Sequence, residues 1–160
     1  MKNYDLSNLS EEDVMDLIKY EKNPDKPLEY KKVYSWIVET LVFSNETKRC
    51  NVMDPERDIM YLLNVHTTPS PDFFSISLIF VETNRHLVRF DFGNTLRHTN
   101  NKGTNKEEII VGSHVHFNAP PGKYDAKNVI PIGNIEEFVN LKTIHDAWNQ
   151  FTRYANIVEK

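Results

Sequence analysis

Between residues 59 and 92 the chain alternates apolar and polar side chains three times in succession, and no other feature constrains the fold as much. Ile59, Tyr61, Leu63 and Val65 form the first set, and Phe74, Ile76, Leu78 and Phe80 the second. The third run, His86–Phe92, follows the short turn Glu82-Thr83-Asn84. A period of two sends the apolar side chains of each run to one face of a strand. Short polar connections make successive strands antiparallel neighbours. A meander with one face on a core is the expected result.

The same alternation predicts two more strands. Tyr34, Trp36, Val38, Thr40 and Val42 interleave with Ser35, Ile37, Glu39 and Leu41, which reads as a long strand over 32–44. Ile109-Ile110-Val111 runs into Gly112-Ser113-His114-Val115-His116-Phe117, which reads as one strand over 109–117. Helices are expected only at the ends. Ser10 followed by Glu11-Glu12-Asp13 is an N-cap with an acidic first turn, and Val14, Leu17 and Ile18 keep helical spacing over about 10–22. Pro24 and Pro27 stop that helix. After Gly133-Asn134, the residues Ile135, Phe138, Leu141, Ile144, His145, Trp148, Phe151 and Ala155 recur at three- and four-residue steps, predicting a long helix. The fold class is α+β: a mainly antiparallel sheet of five to six strands, with the long C-terminal helix on one face and the short N-terminal helix at an edge. With no repeat or linker in its 160 residues, the chain reads as one domain, 1–160.

Composition narrows the function. A formal charge of −4 and the lack of a Lys/Arg cluster argue against a broad grip on nucleic-acid phosphates. No apolar stretch nears the roughly 20 residues that span a bilayer, and the acidic start MKNYDLSNLSEED is unlike a secretory signal. A cytoplasmic protein is expected. The single cysteine, Cys50, excludes an intrachain disulfide and a four-cysteine zinc site. Any metal site must use histidine and carboxylate.

His114 and His116 stand two apart in a predicted strand, so their rings share one face, with Val111, Val115 and Phe117 opposite. Two imidazoles at that spacing can reach one tetrahedral ion. His98 in Leu96-Arg97-His98-Thr99-Asn100 opens the loop leading to that strand and is a candidate third ligand. Asp91, on one strand face with Leu87 and Arg89, could be the fourth. It could equally orient a histidine from behind, or cap the following turn. Without Asp91 the three histidines leave a position open for water. The pair could also be two polar residues on a wet face. His145 reads as a core histidine, His66 as a turn residue, and His86 as having the wrong parity to join Asp91. Cys50 is an outside candidate for the fourth ligand, and a small structural thiol is the plainer reading.

The run HLVRFDFGNTLRHTNNKGTNKEEIIVGSHVHF resembles the signature of an uncharacterised domain family of phages and mobile elements in Gram-positive bacteria. The matching residues are Arg89 and Asp91, then His98-Thr99-Asn100 and Gly103, then His114 and His116, with Ala126 beyond. Asn118–Gly122 departs from the aromatic-rich turn usual at that point. The chain is also similar to the type II-A anti-CRISPR class, small acidic phage proteins that bind Cas9 and block it. That resemblance implies a bound Zn2+ and Cas9 as partner. Candidate contacts are the acidic first-helix residues Glu11, Glu12, Asp13 and Asp16 and the loops 67–72 and 118–127, although helix-dipole stabilisation also explains the acidic turn. The competing expectations are a zinc hydrolase with Glu107, Glu108 or Asp91 as general base, and a metal-free binding module.

Overall fold

A computed structural model describes residues 2–119, 128–138 and 141–160. Pro120-Pro121-Gly122, Ala126 and most of the 118–127 loop lie outside the described residues. The first helix, α1 (Glu11–Lys19), starts as its sequence dictates. The Ser10 hydroxyl accepts from the Asp13 amide, and the Asp13 carboxylate accepts from the Ser10 amide. Those reciprocal bonds satisfy two donors that a helix start leaves without partners.

A two-residue strand, β1 (Asn23–Pro24), precedes a second helix, α2 (Pro27–Glu39). This helix replaces the expected 32–44 strand. Both periodicities are written into the segment, and burial decides between them. Tyr30, Val33 and Ile37 are the buried residues, at helical steps, whereas Tyr34 and Val38 of the alternating set are exposed. Pro27, with its fixed φ, starts the helix.

The meander follows: β2 (Glu46–Asp54), β3 (Ile59–Thr67), β4 (Phe74–Phe80) and β5 (His86–Phe92). Alternation does not predict a strand at 46–54, because the first half of β2 is polar and exposed. An antiparallel two-stranded ribbon, β6 (Arg97–Asn100) and β7 (Glu108–Val111), leaves the sheet. The chain then returns as β8 (His114–Phe117), beside β5, and β9 (Ile130–Pro131) closes that edge. Among the described residues the main sheet therefore has seven strands, in the order β1-β2-β3-β4-β5-β8-β9, all antiparallel. It is larger than the expected five or six.

Two short 3-10 turns, Ile132–Asn134 and Glu136–Phe138, lead to α3 (Ile144–Tyr154). The C-terminal helix is thus half the length its stripe predicted. Thr143 caps it by accepting from the Asp146 amide, so the helix begins there and the upstream apolar residues pack without it. Ile144, Ala147, Trp148 and Phe151 are buried in one cluster with Val14, Leu17 and Ile18 of α1, Tyr30, Val33 and Ile37 of α2, and the sheet residues Tyr61, Leu63, Ile76, Leu78, Phe90 and Val115. The N-terminal helix therefore joins the core instead of lying at an edge. No described helix is long and apolar enough to cross a membrane.

Where the two ends of the chain meet, Lys22 is fully buried, and its ammonium donates to the carbonyls of Ile18 (3.0 Å), Tyr20 (2.8 Å) and Ala155 (2.8 Å). The first two carbonyls belong to the end of α1 and the third to the end of α3. One lysine thus caps two helices whose last carbonyls lack intrahelical donors.

Candidate metal centre

Register places the functional side chains. Across β5 and β8, Phe90 pairs with Val115 on the core face, while Arg89 pairs with His116 and Asp91 with His114. Directly opposed residues share a face, so Arg89, Asp91, His114 and His116 form a block of four on the side of the sheet away from the core. The ribbon supplies His98, which pairs with Ile110. Its neighbour Asn100 docks the ribbon by exchanging two 2.8 Å hydrogen bonds with the backbone of Val129, as a strand residue would.

The expected 109–117 strand is in fact broken at Gly112, whose φ of +98° is a conformation open mainly to glycine. There the chain leaves the ribbon and enters the main sheet. Val111 is consequently exposed, not opposed to the histidines on a core face. The Gly112 carbonyl lies 2.9 Å from His114 Nδ1. Accepting that ring proton leaves His114 Nε2 turned toward the cluster.

Three rings converge. Their centroids are 5.0 Å (His114–His116), 5.3 Å (His98–His116) and 5.7 Å (His98–His114) apart. One ligand nitrogen from each lies within 4.8 Å of the others. Asp91 Oδ2 sits 3.1 Å from His116 Nε2 and 3.4 Å from His114 Nε2. A tetrahedral zinc with bonds of 2.0–2.1 Å has ligand-to-ligand edges of about 3.3 Å, so the aspartate and two histidines already stand at coordination spacing. Nitrogen and carboxylate donors of this kind suit a divalent ion, and the residues fit one.

The electrostatics are those of a carboxylate serving several cations. Burial alone would raise the Asp91 carboxyl, but its polar contacts with His114, His116 and Arg89 outweigh it and hold it far below the usual range. Burial lowers the His114 imidazole, yet its bonds to Asp91 and the Gly112 carbonyl raise it overall. His116 moves the other way, lowered by burial and then by the Arg89 charge, despite Asp91.

A family model described as a family of unknown function, DUF6978, matches residues 9–157. The chain belongs to that family. No curated protein and no solved structure matches this DUF6978 chain.

The other candidates are placed elsewhere or differently. His86 departs from its expected parity. Leu78 pairs with Val88 but Ile79 with His86, so Leu87 is an extra, buried bulge residue that breaks the expected Leu87–Arg89–Asp91 face. The bulge returns His86 to the Arg89/Asp91 side, with its ring 6.3 Å from His116. Burial, then Arg89 and His116, push its pKa down to about 4. Two histidines with no sequence spacing in common thus meet through a bulge that no pattern announces. His66 lies within β3, against the Thr47 hydroxyl, and His145 is only half-buried, 6.0 Å from the Tyr34 ring. Cys50 is buried in β2 away from the cluster, and burial pushes its thiol up to about 12. Glu107 is exposed in the ribbon turn, and Glu108 stands opposite Asn100, further toward the tip than His98. On α1, Glu11 and Glu12 are exposed, Asp16 is half-buried, and Asp13 is engaged by Ser10 and Lys2.

Proposed function

We propose that the chain is a zinc protein that acts by binding: a stoichiometric inhibitor of Cas9 whose ion ties the β6–β7 ribbon to the sheet. The observation that carries the metal reading is the convergence of His98, His114 and His116 from two separate elements, with Asp91 beside them. Imidazole and carboxylate donors favour zinc over harder cations. The three histidines form the convergent group, and Asp91 as a fourth ligand would close the site, which is the structural rather than the catalytic arrangement. With Asp91 taken as a ligand and Glu107 and Glu108 placed toward the ribbon tip, the hydrolytic reading has none of its three candidate carboxylates left as general base.

What supports Cas9 as the partner is the resemblance carried by the 86–117 run, together with the acidic balance and the exposed Glu11 and Glu12. An anionic surface is complementary to a groove built for nucleic acid. Phage origin and a place in the host cytoplasm belong to the same proposal.

The test has two parts. Mass spectrometry of untagged protein is expected to find about one zinc per chain. DNA cleavage by Cas9 is then expected to fall to zero as inhibitor reaches the Cas9 concentration, and not before. Metal-free protein of undiminished stability would remove the metal reading. Cleavage unaffected by excess protein would remove Cas9, and turnover of a phosphodiester or peptide substrate would replace inhibition with hydrolysis.

A further inference from the structure

Arg89 stands where a second cation is not needed. Its Nε donates to Asp91 Oδ1 (2.9 Å) and one terminal nitrogen donates to Oδ2 (2.9 Å), a two-pronged pairing. That same terminal nitrogen is 3.0 Å from His116 Nε2. It carries two hydrogens, one for the carboxylate and one for the imidazole. His116 Nε2 also lies 3.1 Å from Asp91 Oδ2: with the ring proton on Nε2 it donates to that carboxylate, and with the proton on Nδ1 it accepts from Arg89.

An imidazole nitrogen has one lone pair. It can serve the guanidinium or a metal ion, never both. Asp91 Oδ2 has room for both, so only the contact to His116 is exclusive. We infer that metal-free His116 carries its ring proton on Nδ1 and that Arg89 is a resident substitute for the metal, holding His116 and Asp91 in place until a divalent ion displaces it from the imidazole. This rests on the metal reading above and adds a regulator to it. The Arg89 side chain is 40% exposed, so the path outward is open. Loading the site then presents a guanidinium to the surface next to the ribbon, and a weakly binding ion fails to dislodge it. Arg89 thus sets a threshold for the ion and couples occupancy to surface charge.

The idea predicts a sign. A residue that only positions a ligand weakens metal binding when replaced, typically by about 10–100-fold. A competing cation does the opposite. Arg89→Gln removes the charge beside the ion, and zinc affinity, measured by competition with a chromophoric chelator, is expected to rise at least about tenfold. Arg89→Lys keeps the charge and is expected to stay near wild type. Nitrogen-15 spectra of the His116 ring are expected to show a bare Nε2 in metal-free wild type, with its signal moving when zinc is added.

Weaker or unchanged zinc binding in folded Arg89→Gln, alongside wild-type binding that His98→Ala abolishes, overturns the substitute role and leaves the metal site intact. Absence of zinc binding in every variant overturns both. If Arg89→Gln melts too early to titrate, the ring spectra decide: a proton on Nε2 of metal-free His116 overturns the inference.

Discussion

Lys22→Met tests whether one buried ammonium holds both ends of the chain. The substitution keeps the volume of the side chain and removes every donor it offers, three as the ammonium and two as the neutral amine. The Ile18, Tyr20 and Ala155 carbonyls then lose their contacts at 3.0, 2.8 and 2.8 Å. A buried acceptor deprived of its partner costs about 1–3 kcal/mol; even at the lower figure, three sum to about 3 kcal/mol. In a chain of this size each 1 kcal/mol lowers the melting temperature by about 2–4 °C, so a loss of about 6–12 °C is expected. Burial also pushes the Lys22 amine from 10.5 down to about 7. Between those values the unfolded chain holds a proton that the folded chain has released, so wild-type stability rises with pH across that window. The variant lacks that contribution, and its deficit is expected to widen as pH rises. The assay is thermal melting followed by circular dichroism, repeated across the window in chelator. A variant that melts within about 2 °C of wild type, less than 1 kcal/mol for this size, refutes the double-cap reasoning.

Two further outcomes are expected from the same assay. Zinc at about a hundredfold over its dissociation constant adds about 2.7 kcal/mol, or about 5–10 °C; His98→Ala, His114→Ala and His116→Ala should each erase that shift, and a shift that survives all three places the ion elsewhere. Gly112→Ala meets no atom closer than 3.8 Å at its new Cβ; its cost is therefore the positive φ alone, about 1–2 kcal/mol, and an unchanged melting point would mean the corner is not strained.

The strand at 59–67 was legible because it buries alternate residues, and those at 74–80 and 86–92 because their apolar residues still alternate over most of their length, although Ser77 and the bulge residue Leu87 are buried as well. The 27–39 segment was not. Its apolar residues satisfy periods of both two and about 3.6, and only the packing of Tyr30, Val33 and Ile37 on the sheet selects the helix. The C-terminal stripe was misread in length because Thr143 imposes a cap that periodicity ignores. For the site, the convergence of His98 with His114 and His116 followed from spacing and chain direction. His86 escaped because a bulge changes side-chain parity without altering the apolar pattern around it. The break at Gly112 could have been suspected from the glycine, but the strand pattern ran through it.

The detour between β5 and β8 has one more implication. Both of its anchors, Gly93 with Ser113 at the base and Asn100 with Val129 part-way out, are fixed by hydrogen bonds. His98 lies between them, Asn101 is still tied to Asn128 by two 3.0 Å hydrogen bonds, and residues 102–107 lie beyond. Related chains can therefore lengthen, trim or recharge that outer tip with little penalty in loop closure, and the three rings will still meet. Diversity in this group should gather at the tip, leaving an unvarying base beneath a surface that each member can refit to its own target.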